Sequence, residues 1–226
     1  MNYILPILAV VIGFGFVTFF KPKKGHYLKL FLAFSGAFLL SLTVFTLLPE
    51  VYHHNQNHSE KYIGIFIMLG ILLQIFLEFF SKGAEHGHVH LDASKNQFPW
   101  LLFISLSVHS VLEGFPIHEH NNLIYGILIH KIPVAIILST FFIDSNLSNK
   151  KIAAFLILFS LMTPLGSFLA ENISFIHQFY TEVSALVIGI FLHISTIILF
   201  ESSEGHKFNI SKLLVILLGI ATAYFI

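Results

Sequence analysis

Three side chains able to ligate a transition metal lie in two neighbouring apolar stretches of this chain. The first stretch reads LLFISLSVHSVLEGFPIHEH and carries His109 and Glu113. Four residues apart, they share one face of a helix. The second reads LIYGILIHKIPVAIILSTFF and carries His130 with Lys131 directly after it. Any one of these could be a satisfied interhelical hydrogen-bonding group. Together, His109, Glu113 and His130 make a two-imidazole, one-carboxylate set, which suits zinc, iron or another first-row divalent ion. Three N/O ligands with an open position also suit an ion that must bind and leave. Gly114 and Pro116 follow Glu113, and Pro133 follows His130. Pro133 removes the donor that would bond the Ile129 carbonyl, freeing backbone polarity near the site. Lys131 falls mid-stretch and must find a carboxylate or lower its pKa.

Other histidines cluster outside these stretches. His86, His88 and His90 alternate in one loop. His53, His54 and His58 follow Glu50, and His118, Glu119 and His120 follow the first ligand stretch. Such clusters collect metal weakly. Glu50, His53, His118 and His120 are read as an entrance and His86, His88 and His90 as a release point, or the reverse. The chain has no cysteine, so disulfides and thiolate sites are excluded.

The elements that must position these groups are membrane spans. The chain has 226 residues, 56% hydrophobic and 11% charged. Soluble domains carry about 25% charged residues, so so apolar a chain takes the bilayer as its solvent. The formal net charge is zero, which leaves no basic footprint for nucleic acid. A spanning helix needs about 20 mostly apolar residues. Eight stretches qualify: about 3–20, 28–48, 62–80, 98–117, 123–143, 152–170, 183–200 and 210–226. The first has no basic residues before it and no small-residue cleavage site, so it is read as a span and not a signal peptide. The expected fold is all-α, one transmembrane domain over 1–226, with a polar, His-containing loop at 81–97.

Lysine placement tests that count. Lys21, Lys23, Lys24 and Lys29 follow span one. Lys82 and Lys95 follow span three, Lys150 and Lys151 span five, and Lys207 and Lys212 span seven. The opposite side holds Lys61 alone. The positive-inside rule then makes both termini non-cytoplasmic and the 81–97 loop cytoplasmic.

These motifs resemble the ZRT/IRT-like (ZIP) family of metal transporters. The resemblance rests on His109-Ser110-Val111-Leu112-Glu113-Gly114 and His130-Lys131-Ile132-Pro133-Val134-Ala135. Leu47-Leu48-Pro49-Glu50, Pro164-Leu165-Gly166, Gly189-Ile190-Phe191-Leu192-His193 and the His-bearing loop are similar too. It implies alternating access by rigid-body movement of one helix group, import of zinc (with Fe2+, Mn2+ or Cd2+ as other substrates), a homodimer and a plasma (inner) membrane location. Many members build a two-metal centre with ligands at positions that hold Ser110, Lys131, Val134 and Thr163 here. A mononuclear site is therefore expected. In the branch that shares the His-Ser-x-x-Glu-Gly and His-Lys pairing, lysine occupies the space of the second metal. By that resemblance Lys131, which with Ser110 stands at a second-site position, replaces a cation beside Glu113 and keeps the carboxylate charged.

Two other functions fit the same residues. An open His2Glu zinc could activate water in an intramembrane hydrolase, although no His-Glu-x-x-His motif and no separate general base are present. A membrane metal sensor or scaffold would bind the ion without moving it.

Overall fold

The computed structural model describes residues 3–20, 26–54, 59–81, 97–117, 123–143, 145–174, 178–201 and 210–226. Within them every regular element is helical. Hydrocarbon offers the backbone no hydrogen-bond partner, and a helix satisfies its own N–H and C=O groups within one segment.

The helices are α1 (Ile4–Phe20), α2 (His26–Leu42), α3 (Leu48–His54), α4 (Glu60–Ser81), α5 (Trp100–Gly114), α6 (Leu123–Ile143), α7 (Asn149–Asn172), α8 (Tyr180–Glu201) and α9 (Ile210–Tyr224). A π-helical turn, Thr43–Leu47, joins α2 to α3, and a 3-10 turn, Phe115–Ile117, extends α5. Among the described residues, six segments are long and apolar enough to cross a membrane: Leu28–His53, Glu60–Ser81, Trp100–Ile117, Leu123–Ile143, Asn149–Asn172 and Tyr180–Phe200. α1 and α9 are apolar but shorter, at 17 and 15 residues. At 1.5 Å per residue they reach about 25 and 22 Å, against a hydrocarbon core of about 30 Å.

The second span runs further than its apolar stretch suggests. The helix continues through Pro49 to His54, so Glu50 and His53 stand on a helix and not in a loop. Leu48 donates its backbone N–H to the Thr43 carbonyl, five residues back. That widened turn falls where the Pro49 ring would meet the Phe45 carbonyl of a regular helix, so the chain passes the proline without ending.

The helices gather into two compact units interleaved in sequence. The first comprises residues 1–23 and 76–170, and so holds α1, the end of α4, α5, α6 and α7. Val10, Leu102, Leu106, Leu138, Phe142, Phe155 and Phe159 are among its buried core residues. α6 is buried nearly all round, as expected of a helix apolar on every face. α1 lies against it where Gly13 faces Ala135; a Cβ on Gly13 would sit 2.6 Å from the Ala135 Cβ. Ser105 on α5 donates to the Leu77 carbonyl at the end of α4, at 2.5 Å.

The second unit comprises residues 24–75 and 171–226, with α2, α3, most of α4, α8 and α9. α4 and α8 cross at Gly70 and Gly189, where a side chain on either would strike the other's backbone. Small residues at such crossings let backbones approach when no hydrophobic force drives helices together. Tyr62 donates to Glu182 at 3.1 Å across α4 and α8. Lys212 on α9 donates to the Leu199 carbonyl in the last turn of α8, at 2.6 Å. Large apolar side chains such as Phe19, Phe76, Phe79 and Leu214 are more than half exposed, as a lipid-facing surface requires.

Candidate metal site

The site lies wholly within the first unit. His109 and Glu113 project from one face of α5, and His130 from α6; all three are buried. One ligand atom from each can be chosen so that all lie within 4.8 Å of one another. His109 Nε2 is 3.3 Å from Glu113 Oε2. The His109 and His130 rings lie 6.2 Å apart, centroid to centroid, at 76°. Two imidazoles and one carboxylate converging at one buried point are a set that can hold a single divalent ion.

Lys131, next to His130 on α6, is fully buried because α6 has no exposed face at that level. Its ammonium has three protons, and each has a partner: Glu113 Oε1, Ser110 Oγ at 3.1 Å and Thr163 Oγ1 at 2.6 Å. The Phe159 ring lies 4.7 Å from Nζ, within cation–π range. The pair carries no net charge before an ion enters.

Thr163 on α7 completes the arrangement. Its hydroxyl lies 2.5 Å from Glu113 Oε1 as well as against Lys131. The approach of α7 to α5 that makes this contact is set one residue further along α5. A Cβ on Gly114 would meet the Thr163 carbonyl oxygen, and one on Gly166 the Val111 carbonyl oxygen. Sequence reasoning placed Thr163 only as a position where some ZIP proteins carry a metal ligand, and it did not name Phe159. The available signal was Thr163-Pro164 within an apolar span, a polar residue beside a helix-perturbing one.

The other expected residues stand elsewhere. Glu50 is half-buried and His53 exposed on α3, in the second unit. His118, His120, His86, His88 and His90 lie outside the described residues. Among the described residues, His109, Glu113 and His130 form the one group of three or more potential ligands that come together in this way.

A family model described as ZIP Zinc transporter matches residues 82–226. The chain belongs to the ZIP family. The matched stretch includes α5 to α9 and every residue of the candidate site described above. Curated relatives include zinc transporter ZIP1 of Homo sapiens, of Bos taurus and of Mus musculus. Each is 33% identical over an alignment of 133 residues, and the match covers 54% of this chain. The match covers 41% of each of those ZIP relatives, so this ZIP chain aligns with less than half their length.

Proposed function

We propose that this protein carries a divalent transition metal, zinc first, across a membrane toward the cytoplasm, through a mononuclear site of His109, Glu113 and His130. The observation that carries the reading is the burial of a two-histidine, one-carboxylate cluster on two apolar helices of a ZIP chain. Ionisable groups at membrane depth are costly, and here they converge on one point. The relatives it matches are named zinc transporters, which supports zinc as the substrate and gives the hydrolase alternative no footing. Fe2+, Mn2+ and Cd2+ stand as further substrates.

Lys131 tunes how firmly the ion is held. It places a fixed positive charge beside the carboxylate that the ion must share. Mutual repulsion lowers affinity for a dication, and a carrier needs an ion that leaves as well as enters. Movement is by alternating access. All eight apolar helices cross the membrane with both termini outside, in keeping with the ten-to-one split of loop lysines, and the protein works as a homodimer in the plasma membrane. Glu50, His53, His118 and His120 lie on the entry side, and His86, His88 and His90 on the release side.

The test is zinc flux into liposomes holding the purified protein and a fluorescent indicator. Flux in wild type that collapses in His109→Ala supports transport through this site. Metal binding without any flux in wild type would replace the carrier by a sensor.

A further inference from the structure

The two oxygens of Glu113 are used differently. Oε2 faces His109 Nε2 at 3.3 Å. Oε1 receives Lys131 Nζ and lies 2.5 Å from Thr163 Oγ1. The direction of these bonds is fixed by chemistry. An ammonium has no acceptor, so the Thr163 oxygen accepts from Lys131 at 2.6 Å, and its single proton goes to Glu113. A carboxylate oxygen has about two lone-pair sites, and both of those on Oε1 are then filled by donors. A metal ion beside His109 and His130 finds only Oε2.

We infer that Thr163 fixes Glu113 as a one-oxygen ligand and thereby makes the site select ions that accept four-coordinate geometry, such as zinc and cobalt, over manganese, which favours six oxygens. The inference rests on the proposed metal site. Lys131 fills only one of the two sites on Oε1, and it reaches that site from the end of a four-carbon stem. The Thr163 hydroxyl hangs directly on Cβ and has only χ1 to turn about, so its reach is short. Its backbone is pinned at the α5–α7 crossing, where a Cβ on Gly114 would meet the Thr163 carbonyl oxygen. With the hydroxyl removed, Glu113 can turn both oxygens toward the ion, raise its coordination number and accommodate manganese.

The probe is Co2+ bound to the purified full chain in detergent, read by visible absorption. Four-coordinate Co2+ absorbs strongly and six-coordinate Co2+ weakly. Wild type is expected to give strong bands that vanish in His109→Ala. Thr163→Val is expected to weaken the bands and to lower the zinc-over-manganese binding ratio about tenfold, the factor of roughly one charge-assisted hydrogen bond. Thr163→Ser keeps the hydroxyl and should match wild type. Thr163→Ala repeats the test if the valine variant does not fold. Unchanged bands and an unchanged ratio in the hydroxyl-free variants overturn the role of Thr163 while leaving the metal site standing. Wild-type bands that are absent, or that survive His109→Ala, overturn the site and this inference together.

Discussion

Gly114 on α5 and Gly166 on α7 meet with no side chain between them: a Cβ built on Gly166 would lie 3.2 Å from the Gly114 Cα and run into the Val111 carbonyl oxygen. The obstacle is backbone, which cannot swing aside as a side chain can. Gly166→Val should therefore force α5 and α7 apart and cost at least the about 1–3 kcal/mol typical of overpacking. Gly15 and Gly64 have nothing within 4 Å. Gly15→Ala and Gly64→Ala should hold or slightly raise stability, since helical glycine is about 0.5–1 kcal/mol worse than alanine. Thermal unfolding in detergent separates the two groups; equal losses in all three variants would discredit the crossing as a fixed contact.

Lys131 and Glu113 form a buried pair, and removing one partner leaves the other's charge uncompensated. Lys131→Met should destabilise the metal-free protein by about 3–5 kcal/mol. Zinc supplies the missing positive charge, so the variant should gain more stability from zinc than wild type does, and should bind it more tightly. Melting curves with and without zinc measure this directly. An equal zinc-induced shift in both proteins would mean that the lysine does not oppose the ion.

Each of the three proposed ligands should matter far more than the peripheral residues. His109→Ala, Glu113→Ala and His130→Ala are each expected to lower zinc affinity by more than the roughly 10–100-fold that outer partners of metal ligands cost. His53→Ala and Glu50→Gln should leave equilibrium affinity near wild type and act on the uptake rate instead. Equilibrium dialysis on purified protein decides it. A loss in His53→Ala as large as in His109→Ala would relocate the site.

The absence of cysteine makes topology simple to test. Single cysteines introduced at Ser59 and at Ser94 should behave oppositely toward an impermeant thiol reagent. Ser59→Cys should react in intact cells, and Ser94→Cys only after permeabilisation. Reaction of both from outside would break the eight-span arrangement.

The sequence by itself determined the class of molecule and most of the residues of the candidate site. Apolar stretches of about 20 residues impose helices, because backbone hydrogen bonds must close locally in lipid. The four-residue spacing of His109 and Glu113 places them on one face, and no tertiary information is needed for that. Helix ends were legible to within a few residues, except after Pro49, where a proline that ordinarily stops a helix is passed by a π-turn and carries Glu50 and His53 onto α3. Tertiary structure decided what lies across from what. It brought His130 to the α5 face, enclosed Lys131 among Glu113, Ser110, Thr163 and Phe159, and split the two oxygens of Glu113 between different partners. Thr163 stands 50 residues from Glu113, and no periodicity links them. The link is the Gly114–Gly166 crossing, where two backbones approach because neither residue has a side chain. Periodicity is a property of one helix, whereas which helices touch, and at what level, is set by where their surfaces allow the closest approach.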